Sequence, residues 1–170
     1  MRHIMAGLAV GLGLSMACSA YAQDVTVSEK SFSCIRDGTK IRNTYIKNAD
    51  PEKLKEAVRI IKDRVPDKEY PVGTFLQLVP FEVMVKQPRE KFPDTNGWEF
   101  FALDLSAQGA KIKSRGDKTV NFQGVACMSC HQPAAKFDFV CEKGHGCAPL
   151  PLDDQKIAEL QAADPRCPKK

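Results

Sequence analysis

Thr74-Phe75-Leu76-Gln77-Leu78-Val79-Pro80-Phe81-Glu82-Val83-Met84-Val85-Lys86 decides how this chain folds. Two apolar runs, 74–79 and 81–86, flank Pro80, which has no N–H to give to a ladder, so they read as two extended segments. The pair is entered through the turn Pro71-Val72-Gly73, and Trp98 to Leu105 reads as a further strand of the same kind. Together these runs predict an antiparallel sheet. Upstream, Ser31 to Arg36 and Thr39 to Ile46 alternate and are joined by Asp37-Gly38, which predicts a β-hairpin turning there. Asp50-Pro51 then caps a helix whose Leu54, Ala57, Val58, Ile61 and Val65 follow helical spacing until Pro66. A short helix is expected between Asp153 and Ala163, through Ile157 and Leu160. The fold class is thus mainly β of the α+β kind, an antiparallel β-sheet with a few helices.

The chain has 170 residues, 43% hydrophobic and 27% charged, an ordinary globular composition apart from seven Cys. One domain is expected. Residues 4–22 form an apolar stretch preceded by Arg2 and closed by Ala20-Tyr21-Ala22, the small-residue pattern of a secretory leader. The expected organisation is therefore a signal peptide over 1–22, a single domain over 23–170, a periplasmic destination and no membrane span. Cys18 is not read as a lipid-attachment site, because Ser15 stands where such a box carries Leu. The remaining chain keeps 24 of 25 basic residues and all 21 acidic ones, a net charge of +3 without long single-sign runs. That balance does not call for nucleic acid.

The chemistry concentrates in Cys127-Met128-Ser129-Cys130-His131, the C-x-x-C-H pattern of covalent haem attachment. Two thiols one helical turn apart can each add to a vinyl group of one porphyrin, and the adjacent imidazole then sits under the iron. The cofactor implied is one covalently attached haem c, bound through Cys127 and Cys130 on a helix near the C-terminus, with His131 as axial ligand. A disulfide, or a zinc site drawing on His131, Cys141, His145 and Cys147, is the alternative.

With two thiols given to haem, Cys34, Cys141, Cys147 and Cys167 remain, an even number in an oxidising compartment. Of three possible pairings the favoured one closes Cys141 to Cys147 and staples Cys34 to Cys167. Candidates for the sixth iron position are few. Once the leader is gone only His131 and His145 remain among histidines, and Met128 lies inside the attachment loop, which leaves Met84 as the thioether candidate. Met84 also fits plain core filling, and His145, between Gly144 and Gly146, fits a solvent-facing loop. Trp98 reads as a core anchor or a porphyrin neighbour, and Asp138 as a turn-forming or haem-orienting residue.

Several segments, taken in order, resemble the cytochrome P-460 superfamily, which includes lysine-crosslinked haem cytochromes and the β-sheet cytochromes c′. They are Ile41-Arg42-Asn43-Thr44-Tyr45-Ile46 with Asp50-Pro51-Glu52, Tyr70-Pro71-Val72-Gly73-Thr74, Val83-Met84-Val85-Lys86, Gly97-Trp98-Glu99-Phe100-Phe101, and the Cys127 to His131 motif with Ala135-Lys136-Phe137-Asp138-Phe139-Val140. The resemblance implies a mostly antiparallel β fold carrying one haem c, often as a homodimer. In crosslinked members a lysine on the strand after the Gly-Thr turn is bonded to the porphyrin, and those proteins oxidise hydroxylamine. Aligning Gly73-Thr74 with that turn places Leu78 at the lysine position, where a hydrocarbon cannot make the bond. Lys86 is the nearby lysine that an altered register offers.

Motif and resemblance together imply a periplasmic monohaem cytochrome of the uncrosslinked branch. Its haem is five-coordinate, with an apolar distal pocket near Leu78 that takes small diatomic gases, nitric oxide or carbon monoxide. The alternatives are a six-coordinate electron carrier using Met84 or His145 with a periplasmic redox partner, and a hydroxylamine-oxidising enzyme crosslinked through Lys86. An enzymatic role is not the favoured outcome.

Overall fold

The computed structural model describes residues 24–169. The expected leader, with its cleavage point, lies outside them. Six antiparallel strands form one sheet in sequence order: β1 (Thr39–Ile41), β2 (Thr44–Lys47), β3 (Phe75–Gln77), β4 (Glu82–Lys86), β5 (Trp98–Ser106) and β6 (Gly109–Gly116). Three helices accompany it: α1 (Pro51–Asp63) between β2 and β3, α2 (Cys127–His131), and α3 (Asp154–Ala162). Among the described residues no helix is long and apolar enough to cross a membrane.

Local chemistry explains most boundaries. The Asp50 carboxylate accepts the N–H groups of Glu52 and Lys53, and Pro51 takes the first helical position, where an N–H would go unused. The helix ends at Arg64, in the left-handed region at φ 51°, two residues before Pro66. Its buried face, Ala57, Ile60 and Ile61, packs in one cluster with Ile46, Leu76, Met84, Trp98 and Phe100 of the sheet. Alternate residues Val83, Val85, Phe101 and Leu103 point to the other face, which Val27 and Phe32 cover. β4 is therefore buried on both sides, which is why it reads as an almost unbroken apolar run.

The first hairpin departs from expectation. Ile35–Asp37 forms a 3-10 turn, and Gly38, at φ −83°, is extended and needs no glycine-only conformation. The hairpin turns instead at Arg42-Asn43, between the paired residues Ile41 and Thr44, with Arg42 at φ 53°. Arg42 is held there by tertiary partners, its guanidinium donating to the Ile61 carbonyl and the Glu142 carboxylate. Contacts distant in sequence thus override the turn preference of Asp-Gly. β6 lies at a sheet edge and alternates Lys111, Lys113 and Arg115 with Ala110, Ile112 and Ser114, a charged edge of the kind that discourages further pairing.

Two disulfides close the structure, Cys34–Cys167 and Cys141–Cys147. Gln161 on α3 donates to the carbonyls of Asn43 and Leu78. The segment 148–152 between the inner bridge and α3 is consequently tied down at both ends, along one side of a cleft.

Candidate functional site

The cleft opens between the sheet, α2 and the segment 148–152. The sheet side carries Leu76, Met84 and Phe100, with Leu78 just past β3; α2 contributes Cys127, Cys130 and His131; Phe122 and Leu150 complete the lining as half-exposed apolar side chains. Leu78 and Met84, both singled out in the sequence, line this space. So does Glu82, which shares a face of β4 with Met84 because strand residues two apart point the same way.

α2 is a single turn, and it sets both cysteines and the histidine of the motif toward one volume. Cys127 and Cys130 are free and half-buried. Burial, reinforced by the nearby Glu82 carboxylate, pushes the Cys127 thiol up to about 12. A thiol so reluctant to ionise is a poor redox nucleophile, which argues against thiol-disulfide catalysis. Burial also lowers the pKa of His131, against the opposing hydrogen bond to Phe139, so the neutral imidazole is favoured. His131 Nδ1 lies 2.7 Å from the Phe139 carbonyl oxygen and donates to it in the neutral ring. Nε2 is then the nitrogen with its lone pair free, on a side chain that lines the cleft. The Phe100 ring packs edge-on against this imidazole at 5.1 Å between centroids.

A neutral imidazole with one nitrogen fixed, and two free thiols on the same helical turn, fit the attachment chemistry of haem c. A zinc site does not fit as well. Cys141 and Cys147, which it would require, are bonded to each other.

His145 does not line the cleft. It is buried, its ring stacked on Phe137 at 3.7 Å, with Nδ1 2.7 Å from the Val140 carbonyl and Nε2 enclosed without a partner. It stands outside the set of residues that line the cleft. Lys86 is likewise elsewhere. Its ammonium bonds both carboxylate oxygens of Asp138 at 2.7 and 2.8 Å and the Asn96 carbonyl at 2.6 Å. Burial draws the Lys86 pKa down and pushes that of Asp138 up, and their mutual attraction opposes both shifts. Trp98 is fully buried and donates its indole N–H to the Asp138 carbonyl, so it is a core anchor.

Phe122 and the wall at 148–152 are not evident from sequence patterns, and Glu82 was not singled out by them. Glu82 was accessible through the period-two alternation that places it with Met84. It accepts the Phe122 N–H, and burial raises its carboxyl pKa despite that bond. Phe122 and Leu150 reach the cleft through irregular segments, for which periodicity carries no signal.

Comparison with known proteins adds one match: the family model described as Cytochrome P460 aligns with residues 19–142. No curated protein and no solved structure matches the chain.

Proposed function

The chain belongs to the cytochrome P460 family, which implies a monohaem c-type cytochrome, and from that premise we propose an exported, gas-binding member of its uncrosslinked branch. The carrying observation is the cleft itself, where one turn of helix presents Cys127, Cys130 and His131 to a largely apolar space. In this reading Cys127 and Cys130 would hold one haem through thioether bonds and His131 would offer its Nε2 to the iron. Bound haem supplies a ferrous iron whose remaining position can take a neutral diatomic molecule such as nitric oxide or carbon monoxide.

The protein's part is to keep that position open and dry. Leu78, Phe122 and Leu150 make the cleft apolar, which disfavours anions relative to neutral gases. Among the described residues no lysine lines the cleft, which supports an uncrosslinked porphyrin. Met84 is packed beside Leu76 and Phe100, its partners across the sheet, and Phe100 in turn lies against His131. Glu82 is the one carboxylate lining the cleft among the described residues, and burial raises its pKa. The paired cysteines at 34–167 and 141–147 suit an oxidising compartment such as the periplasm.

The presence of Met84 in the cleft favours a second reading, a six-coordinate electron carrier. Optical spectra of the exported holoprotein in ferric, ferrous and ferrous-plus-carbon-monoxide states separate the two. High-spin ferrous bands converted cleanly by carbon monoxide are expected. Low-spin bands indifferent to carbon monoxide, and abolished by Met84→Leu, would establish the carrier instead. Mass spectrometry of haem peptides is expected to find porphyrin on the Cys127 to His131 peptide alone; porphyrin on a second peptide would overturn the uncrosslinked assignment.

A further inference from the structure

Lys86 and Asp138 stand outside the cleft, yet they form an ion pair with side-chain exposures of 2% and 1%. Such a pair loses the hydration of both charges and is sustained only by further hydrogen bonds. Here they are numerous. Besides Lys86, the Asp138 carboxylate accepts the Tyr70 N–H at 2.8 Å and the Asn96 side-chain amide. The third partner of Lys86 is the Asn96 carbonyl, and its ammonium lies 5.2 Å from the centre of the Trp98 ring. The Asp138 carbonyl accepts the Trp98 indole N–H at 2.7 Å. β4, β5 and the loops before each of β3 and β5 therefore converge on one residue.

That residue opens an unusual turn. Asp138 and Phe139 both occupy the left-handed region, at φ 52° and 59°, although neither is glycine. L-residues persist there only where the surroundings enforce it. The turn aims the Phe139 carbonyl at His131 Nδ1, 2.7 Å away. A bond from Nδ1–H to a carbonyl fixes the tautomer and rotation of the ring and raises the basicity of the opposite nitrogen.

The geometry points to Lys86 and Asp138 as positioning residues for the axial histidine: their buried pair holds the 138–139 turn so that its carbonyl sets the orientation and donor strength of His131. The inference rests on His131 being the axial ligand of a covalent haem. Its consequence is that the lysine of β4 tunes the haem from a distance. A better donor stabilises ferric over ferrous iron, so loosening the turn raises the reduction potential and weakens the iron–histidine bond.

The test uses the holoprotein and the variants Lys86→Met, Asp138→Asn and the two combined, the last leaving no unpaired buried charge should a single variant fail to accumulate. Arg166→Met is the control, since it opens the other buried ion pair, Arg166–Asp164, and touches neither Asp138 nor Phe139. Resonance Raman measures the ferrous iron–histidine stretch, and a redox titration measures the potential. The stretch is expected to fall and the potential to rise in all three variants, by up to a tenfold change in the ferric-to-ferrous ratio, about 59 mV. The control is expected to lose stability with neither signal moving. Unchanged stretch and potential in the combined variant, with haem still attached, would overturn the inference. If the parent protein carries covalent haem but its spectrum is unaltered by His131→Ala, the axial assignment itself fails, a distinct result.

Discussion

Removing the Cys34–Cys167 bridge should be among the most damaging changes to this protein that leave the cleft chemistry untouched. The bridge spans a sequence separation of 133, whereas Cys141–Cys147 spans 6. In the chain-entropy account a cross-link restricts the unfolded ensemble by roughly 2.1 + 1.5R ln n cal/mol/K, which for these separations is about 17 and about 7. At 25 °C the corresponding contributions are about 5 and about 2 kcal/mol. The perturbation is Cys34→Ala with Cys167→Ala, compared with Cys141→Ala and Cys147→Ala. With a urea m-value of about 2 kcal/mol/M, the midpoints should fall by about 2.5 M and about 1 M. The assay is equilibrium urea unfolding of the holoprotein, followed by far-UV circular dichroism. Neighbouring bonds, such as the Ile35 N–H to Asp164, hold the folded ends together but not the unfolded ones, so they do not substitute for the bridge. A loss below about 1 kcal/mol for the long bridge, or a short bridge that costs as much as the long one, would refute the reasoning.

Glycine positions give a sharper geometric prediction. Gly97 has φ 85°, and a Cβ there would lie 2.4 Å from the Gln87 carbonyl oxygen, whereas at Gly73, φ 93°, the nearest atom would be 3.5 Å away. Gly73→Ala should cost about 1–2 kcal/mol from conformational strain alone, and Gly97→Ala distinctly more; thermal melts that rank them the other way contradict the clash. Acid stability should depend on Asp164. Burial alone would raise its pKa, but hydrogen bonds from Arg166 and the Ile35 N–H hold it below its ordinary value of 3.8. Its stabilisation is then complete above that value and lost as pH falls through the lower folded-state pKa. Asp164→Asn should flatten the acid limb of stability against pH below about 4, and an unchanged limb would sink the assignment.

The sheet was legible because β3, β4 and β5 carry their own signals: the break at Pro80, the Trp98-to-Leu105 run and the Pro71-Val72-Gly73 entry. α1 was equally plain, since the Asp50-Pro51 cap and the 3.6-residue spacing act within a dozen residues. The first hairpin was misplaced because its turn at Arg42-Asn43 is secured by Ile61 and Glu142, distant partners that no local propensity reveals. β6 was passed over because an edge strand with basic residues at every second position has little apolar content to detect.

At the candidate site, spacing alone singled out Cys127, Cys130 and His131, which the structure brings to one cleft because a helix places residues three and four apart on one face. Sequence likewise limited the sixth-position candidates to Met84 and His145 by counting residue types. It could not choose between them. Whether a side chain reaches a cleft depends on packing between elements far apart in the chain, and only the tertiary structure buried His145 against Phe137, left Met84 in the wall and added Glu82 and Phe122. The same holds for Lys86, the lysine that an altered register offered for a porphyrin crosslink. Its partner Asp138 lies 52 residues away, and the pairing that turns a reactive amine into a structural cation exists only once the chain has folded.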